Sequence, residues 1–268
     1  MTTIVHPTAV IHASAELGDG VEIGPYAVIG SRVEIGAGTV VGPHAVIEED
    51  VRIGAGNRLS AGVAIGGPPQ HRNYEGERTY VRIGDRNVIR EYVTIHRAFG
   101  EGAATEIGSE NMLMAYAHVS HNCRVGNQVV IVNAVMLAGF VVVEDQANIS
   151  GLTGIHQFVR VGRLAMVGPV SMVRQDVPPF VTTAGPSARA YGLNTTGLVR
   201  AGIPAVHRDA LKQAFTLLYR RRLALPTALA RMEEELGEDP YVRQMITFLT
   251  GGTHRRGIVP WSREAPSD

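Results

Sequence analysis

The chain has 268 residues, enough for one large domain or two modest ones. Lys plus Arg and Asp plus Glu each total 25, and this zero net charge argues against bulk attraction to nucleic acid or anionic lipid. The single cysteine, Cys123, fits a reducing, cytoplasmic compartment, and no apolar run reaches the ~18 residues of a membrane span, so we expect neither a disulfide framework nor stable membrane insertion.

A six-residue repeat runs through the first two thirds of the chain. Of the 29 slots taken every six residues from Val5 to Val173, 26 hold Ile, Leu or Val, and the exceptions are His71, Glu77 and Glu101. A period of six fits neither a 3.6-residue helix nor a two-residue strand alternation. It fits short strands joined by tight turns, with one aliphatic residue per side pointing inward. Stacked sides of this kind form a parallel β-helix, whose thin core also explains 31 glycines and only 6% aromatic residues.

Two segments leave the repeat and have the composition of surface loops. The first, 66–80, carries a Pro-Pro pair and several charges, and the second spans 98–104. They are either tolerated insertions or a substrate flap, because long loops on rigid scaffolds often carry function. We therefore predict a β-helix domain over residues 1–180 that is interrupted by these two loops.

The repeat stops after Val173, and helical spacing replaces it in the last quarter of the chain. Three amphipathic segments follow, the last of them starting at the Asp239-Pro240 pair. We predict a connecting segment at 181–203 and a C-terminal α-helical domain at 204–268, without regular structure from Thr253 onward.

The aliphatic interior of a β-helix offers no pocket, so chemistry must lie on its outer faces or between copies. The repeat resembles that of left-handed parallel β-helix proteins, in which three hexads complete one triangular coil and residues 18 apart therefore stack. His121, Gly139 and Gln157 form such a column, with His118 and His156 near it in the sequence. Each histidine alone could be an ordinary surface residue, but the cluster indicates an accessible base beside an exposed backbone N–H. A zinc site does not fit the histidine spacing, so we predict no metal.

Five segments carry a more specific resemblance: 83–87 (IGDRN), 94–97 (TIHR), 118–123 (HVSHNC), 155–158 (IHQF) and 175–179 (QDVPP). They are similar to the acyl-[acyl-carrier-protein]–UDP-N-acetylglucosamine O-acyltransferases, which catalyse the first step of lipid A biosynthesis. The resemblance covers nearly the whole chain. It implies a left-handed parallel β-helix of hexapeptide repeats followed by a small C-terminal helical domain, assembled as a homotrimer. It also implies transfer of an (R)-3-hydroxyacyl group from acyl carrier protein to the 3-hydroxyl of UDP-N-acetylglucosamine, without a cofactor beyond the thioester co-substrate.

The resemblance also implies roles for individual residues. His121 matches the general base, and the Gly139 N–H matches the donor to the oxyanion. Pro169 would close the acyl-chain groove between subunits, so we expect a medium-chain donor. Lys212 and Arg220 would dock the acidic carrier protein. The substrate-binding positions are His71, Asn73, His118, His156 and Gln157, together with Asn194 and Arg200 from a neighbouring subunit.

Four residues depart from the family pattern. His71 stands where the family often has Asp, and Asn73 where it often has Lys. Phe140 replaces a common His, and Asn122 replaces the usual Asp. These changes leave two alternatives open: a related acyltransferase acting on a 3-amino or other nucleotide sugar, and a non-catalytic trimeric scaffold. The presence of His121 speaks against the scaffold.

Overall fold

The computed structural model describes residues 2–251 and 256–262. Its larger part is a three-sided parallel β-helix of short strands joined by tight turns. In chain order the strands are β1 (Ile4–Val5), β2 (Val10–Ile11), β3 (Glu16–Leu17), β4 (Glu22–Ile23), β5 (Val28–Ile29), β6 (Glu34–Ile35), β7 (Val40–Val41), β8 (Val46–Ile47), β9 (Val51–Ile53), β10 (Arg58–Leu59), β11 (Ala64–Gly67), β12 (Tyr80–Ile83), β13 (Val88–Ile89), β14 (Thr94–His96), β15 (Ala104–Ile107), β16 (Met112–Leu113), β17 (His118–Val119), β18 (Arg124–Val125), β19 (Val130–Ile131), β20 (Met136–Leu137), β21 (Val142–Val143), β22 (Asn148–Ile149), β23 (Gly154–Ile155), β24 (Arg160–Val161), β25 (Met166–Val167) and β26 (Met172–Val173).

Each strand of the β-helix pairs in parallel with the strand three places later in the chain, and this produces three faces. The first face contains β1, β4 and their successors up to β25, the second runs from β2 to β26, and the third from β3 to β24. The first corner joins the first and second faces, the second corner joins the second and third, and the third corner closes the coil. In a regular coil, paired residues lie 18 apart in sequence, as Ile131 and Ile149 do.

The two insertions lengthen their coils by whole hexads. Ile53 pairs with Ile83, 30 residues on, and Ile83 pairs with Ile107, 24 residues on. These steps exceed a regular coil by 12 and 6 residues, which together equal the three hexads whose slots hold no aliphatic residue. The inward-facing frame therefore resumes in phase after each insertion.

The core is an aliphatic column with one line of buried amides at the third corner. Asn57, Asn87 and Asn111 stack there, and all three are buried. Oδ1 of Asn57 accepts from the backbone N–H and from Nδ2 of Asn87, both at 2.9 Å, and Oδ1 of Asn87 accepts from the Asn111 N–H at 2.9 Å. The amide groups thus satisfy one another and the turn carbonyls, so they can be buried without a large free-energy cost.

A helical domain packs on the C-terminal end of the β-helix. It contains α1 (Thr195–Arg200), α2 (Ala205–Phe215), a π-helical turn (Thr216–Arg220), α3 (Leu225–Leu236) and α4 (Pro240–Thr250). The start of α4 agrees with the Asp239-Pro240 signal, because the Asp239 carboxylate accepts from the N–H groups of Tyr241 and Val242. The fully buried Phe180 fills the end of the β-helix beneath Tyr241.

The connecting segment has more structure than the sequence predicts. Residues 181–203 form β27 (Val181–Ala184), β28 (Arg189–Leu193) and α1, and β27 extends the first face. Val167 pairs with Thr183, a step of 16 residues instead of 18, so the six-residue frame misses this strand.

Residues 256–262 contain no helix or strand, as expected for the tail from Thr253 onward, but isolated bridges attach them to the rest of the chain. The Asp176 N–H donates to the Gly257 carbonyl and the Val259 N–H donates to the Asp176 carbonyl, both at 2.9 Å. Val259 is buried, so this segment binds the end of the β-helix. The rest of that prediction, at 253–255 and 263–268, lies outside the described residues.

Candidate active site

The second corner carries the column formed by His121, Gly139 and Gln157. His121 is 5% exposed. A Cβ added to Gly139 would lie 2.6 Å from Nε2 of His121, so this nitrogen stands beside the Gly139 backbone and the imidazole fills the side-chain position of residue 139. The His121 ring can therefore keep its position under the next coil only if residue 139 is glycine.

Asn122 holds the other side of the His121 ring. Its Oδ1 lies 2.9 Å from Nδ1 of His121 and also accepts from the Phe99 N–H at 2.9 Å, while its Nδ2 donates to the Phe99 carbonyl at 3.0 Å. The two bonds to Phe99 fix which amide atom is the oxygen, and an oxygen can only accept. Nδ1 of His121 must then carry the proton, which leaves a lone pair on Nε2 beside Gly139.

Aromatic rings surround this imidazole. His71 stacks on Phe99 with centroids 3.8 Å apart, and its ring stands 5.3 Å from that of His121. Phe140 meets His121 edge-on at 5.3 Å and stacks on Phe158 at 4.9 Å. Phe140 therefore gives the base an apolar neighbour, and this lowers the local polarity.

The rings of Phe140 and Phe158 stand on strained backbone. Their φ angles are +61° and +67°, a left-handed conformation that bulky residues rarely adopt. The same conformation recurs at this turn position at all three corners, for example at Tyr92, Asn122 and Leu164, so it belongs to the coil geometry and does not mark the site.

Burial sets the protonation state of the site. Desolvation lowers the pKa of His121, the positive fields of His71 and His96 lower it further, and the Asn122 hydrogen bond opposes these effects. Desolvation, followed by the positive fields of His96 and His121, lowers the pKa of His118 to about 4. His118 is also held at Nδ1 by the Thr94 hydroxyl, 2.7 Å away. Both imidazoles are therefore neutral at neutral pH.

The Gly139 N–H differs from comparable N–H groups at the third corner. There the Asn127 N–H donates to Oδ1 of Asp145 at 2.7 Å, and the Ser109 N–H donates to Oδ1 of Asn127 at 2.8 Å. In the part of the chain that the structure describes, no group accepts from the buried Gly139 N–H. The N–H groups of His121 and Gln157 in the same column also lack an acceptor among the described residues, so an open N–H belongs to this turn position, and at Gly139 it is available to a ligand.

Of the other residues predicted to bind substrate, some lie next to His121 and some do not. The His71 ring borders that of His121, and His118 lies on β17, three residues before His121. Asn73 is exposed beside His71, whose Nδ1 accepts from the Asn73 N–H at 3.3 Å. Gln157 lies one coil beyond Gly139, and the exposed His156 has its Nδ1 3.2 Å from the Gln157 carbonyl.

Asn194 and Arg200 lie on another side of the molecule. They line a cavity of about 580 Å³ over the first face, together with Gln146 and Asn148. Asn194 also caps α1, since its Oδ1 accepts from the Gly197 N–H. Within one chain these two residues therefore do not meet the second corner.

Pro169, Lys212 and Arg220 also lie away from the base. Pro169 is exposed at the first corner, next to Val170, which is 63% exposed. Lys212 and Arg220 line a cavity of about 440 Å³ beside Phe215, on the helical domain.

The sequence missed Phe99 and His96 as site residues. Phe99 lies in the irregular second insertion, so no periodicity points to it. His96 follows a regular slot, and its ring stands 5.2 Å from that of His118. The sequence could have indicated His96, because it lies one coil before His118 and His121.

The described ranges contain no group of three His, Cys, Asp or Glu side chains arranged to hold a metal ion. They also contain no helix that is both long and apolar enough to cross a membrane.

Comparison with known proteins gives consistent matches along the chain. Residues 32–67 match the model of the bacterial transferase hexapeptide (six repeats), and residues 176–259 match that of UDP-N-acetylglucosamine O-acyltransferase, domain 2. The acyl-[acyl-carrier-protein]–UDP-N-acetylglucosamine O-acyltransferase of Anaeromyxobacter dehalogenans is 46% identical over 95% of this chain and 99% of its own length. The enzyme of the same name from Gloeothece citriformis is 50% identical over 76% of this chain and 75% of its own.

Solved structures agree in fold. The UDP-N-acetylglucosamine acyltransferase of Francisella novicida has a TM-score of 0.92 at 36% identity, covering 96% of this chain and 94% of that one. The Arabidopsis acyltransferase of the same name has a TM-score of 0.85 at 32% identity, covering 96% and 100%. The predicted left-handed parallel β-helix with a C-terminal helical domain is confirmed.

The protonation state of His118 can be tested directly. Its pKa near 4 lies below the ordinary value of 6.5, so between these pH values the unfolded chain binds more protons than the folded one. Folding stability must then fall as pH drops from 6.5 toward 4. Between pH 7 and pH 5, we expect the free energy of unfolding to fall less in His118→Gln than in wild type. NMR of the wild-type imidazole should show His118 neutral at pH 5.5. Titration of His118 above pH 6, or equal pH dependence in both proteins, would contradict the assignment.

Proposed function

The chain belongs to the acyl-[acyl-carrier-protein]–UDP-N-acetylglucosamine O-acyltransferase family, and from this premise we propose that it transfers an (R)-3-hydroxyacyl group from acyl carrier protein to the 3-hydroxyl of UDP-N-acetylglucosamine, the first step of lipid A biosynthesis. One observation carries the proposal at the level of chemistry. A buried, neutral His121 presents Nε2 beside the Gly139 N–H, which has no partner in the described residues.

In the proposed mechanism Nε2 of His121 removes the proton from the sugar hydroxyl as its oxygen attacks the thioester carbonyl. The carbonyl oxygen gains negative charge, and the Gly139 N–H donates to it. When the tetrahedral intermediate collapses, the C–S bond breaks and the leaving sulfur takes the proton from the imidazolium. Atoms and charges balance without a cofactor, because the thioester is already activated.

Asn122 gives this base a neutral partner. A carboxylate in its place would stabilise the imidazolium and raise the pKa of His121, whereas the amide oxygen holds only the Nδ1 proton. The chain therefore keeps the tautomer that the reaction needs and leaves the base free of a second proton at neutral pH.

We assign substrate contacts to two groups of residues. His71, Asn73, His118, His156 and Gln157 would contact the nucleotide sugar from the subunit that holds the base. Arg200 and Asn194 would reach the nucleotide from a neighbouring subunit, since they lie on a different face of their own chain. An Arg fork suits a diphosphate, because it makes charge-assisted bonds of fixed geometry.

A homotrimer accounts for the apolar surface of the first corner and second face. Large side chains there are 39–67% exposed in the isolated chain, more than a soluble monomer commonly leaves in one patch. They are Val10, Tyr26, Val28, Tyr92, Tyr116, Met136, Leu152, Val170 and Met172.

The helical domain would receive the carrier protein. Lys212 and Arg220, with the neighbouring Arg221 and Arg222, place positive charge on an exposed surface, and opposite charge accelerates association with an acidic partner. We place the reaction in the cytoplasm, where the one cysteine, buried as a free thiol, would stay reduced.

Mass spectrometry of the product tests the proposed function. Purified protein with mixed acyl carrier proteins and UDP-N-acetylglucosamine should yield the 3-O-acylated nucleotide sugar. His121→Ala should reduce kcat by about 10² or more without loss of fold, whereas His6→Ala, an exposed control, should retain activity. Product formed only with a 3-amino analogue would support the related acyltransferase, and no product with either acceptor would support the scaffold.

Pro169 is proposed to limit the length of the acyl chain. Its ring has a fixed backbone φ and cannot leave the groove by changing rotamer. Each methylene denied burial forfeits about 0.8 kcal/mol, so two methylenes give about tenfold discrimination or more. Wild type should prefer medium-chain donors, and Pro169→Gly should shift the preference toward longer ones, measured as kcat/KM over a donor series.

Pro43→Gly is the matched control, because Pro43 occupies the same turn position of the first corner at the other end of the β-helix. It should keep the wild-type preference. A Pro169→Gly variant with an unchanged donor profile would show that another residue closes the groove.

A further inference from the structure

The two insertions pack against each other as a single wall, formed by residues 68–79 and 97–103. Its rings, His71 and Phe99, are the ones that face the base. Three hydrogen bonds donated by backbone N–H groups join the two insertions. The bonds are Gly100 N–H to Oε1 of Glu77 (3.0 Å), Gly102 N–H to the Arg78 carbonyl (2.9 Å) and Arg78 N–H to Oε2 of Glu101 (3.2 Å).

A buried carboxylate anchors the first insertion to the β-helix. Asp50 lies at the second corner, in a coil before the insertion, with its side chain 4% exposed. It accepts two bonds from Arg32 (2.9 and 2.8 Å) and two from Arg78 (2.9 and 2.7 Å). Arg32, then Arg78, lowers the pKa of Asp50 to about 2 against the opposing effect of burial, so the carboxylate is ionised at neutral pH.

The neighbouring carboxylate anchors the second insertion. Glu49 accepts from Nη1 of Arg97 at 2.9 Å and from Nη2 of Arg32 at 2.8 Å. Arg97 is largely buried at the base of the second insertion, and its Nη2 reaches the Tyr74 hydroxyl of the first at 3.3 Å. One corner of the β-helix thus holds both insertions through charged hydrogen bonds.

The opposite side of the wall contacts the base. Phe99 is bonded at both its N–H and its carbonyl to Asn122, the residue that orients His121. An acceptor hydroxyl must come within about 3 Å of Nε2 of His121 to give up its proton. With the His71 ring only 5.3 Å from the imidazole, the wall borders the acceptor, whereas the thioester carbonyl belongs one coil further, at Gly139.

We propose that the ion network of Asp50 and Glu49 with Arg32, Arg78 and Arg97 positions this wall for the acceptor sugar. The inference rests on the proposed function and deepens it: Arg78 and Asp50 are positioning residues that act through His71 and Phe99 without contacting substrate. The wall is then a substrate flap that the ion network holds in place. This favours the interpretation of the two insertions as a flap over that of tolerated insertions.

Arg78→Ala is the variant of choice. The Arg78 side chain is 53% exposed, and Asp50 keeps both bonds from Arg32 when Arg78 is removed, so no buried charge loses its last partner. Arg86→Ala is the matched control. Arg86 also bridges coils to a carboxylate, Glu110, at 2.6 Å, and Glu110 retains Gln128 as a partner, but this pair lies at the third corner.

Two measurements separate positioning from general damage. Arg78→Ala should raise the KM for UDP-N-acetylglucosamine at least about fivefold and leave the KM for the acyl carrier thioester within about twofold. Trypsin should also cleave after the exposed Arg72, within the wall, at least about fivefold faster than in wild type. Arg86→Ala should match wild type in both measurements.

The outcomes are distinguishable. Unchanged cleavage at Arg72, or equal changes of KM for both substrates, would overturn the inference. A wild-type protein that does not acylate UDP-N-acetylglucosamine would overturn the proposed function, and the tryptic comparison would still decide whether Arg78 pins the wall.

Discussion

The imidazole of His121 occupies the space into which any side chain at position 139 would project. This contact is a consequence of coil stacking, because a regular coil of 18 residues places residue 139 directly over residue 121. The β-helix therefore supplies a base and a backbone donor on adjacent coils of one rigid corner. Glycine at 139 is the condition under which both can be present, since a larger residue would displace the ring from Asn122.

The surroundings of the base are neutral, and this determines how it can work. His121 contacts an amide and aromatic rings, and burial is the main cause of its lowered pKa. A neutral imidazole in a poorly hydrated site is ready to accept a proton, and its own protonated form is short-lived because little stabilises it. Asn122 controls the tautomer without adding charge, and Phe140 places an apolar ring against one side of the imidazole.

The sequence predicts those parts of the molecule that follow the repeat. The aliphatic frame, the His121–Gly139–Gln157 column and the start of α4 all depend on local patterns, and the frame survives both insertions because they add whole hexads. The position where an irregular loop folds back on the β-helix is not encoded in the six-residue repeat. The hydrogen bonds between Asn122 and Phe99 and the ion network around Asp50 depend on such positions, so the sequence does not predict them. β27 was missed for a related reason, since its pairing step is 16 residues. The attachment of residues 256–262 was missed because Asp176, the bridge partner of Ile258, lies 82 positions earlier and outside any strand.

Replacement of Gly139 by alanine tests most directly whether the stacked pair is the reactive centre. The substitution keeps the backbone N–H and adds one methyl group where the imidazole lies. We expect Gly139→Ala to lower kcat by about 100-fold or more, the loss typical of a displaced general base, while the β-helix still folds, as circular dichroism should show. Gly151→Ala, at a turn of the first corner where an added Cβ would meet only the Asn133 carbonyl (3.2 Å) and Val132 (3.5 Å), should retain activity. Near-wild-type turnover in Gly139→Ala would show that the chemistry does not depend on His121 and Gly139 together.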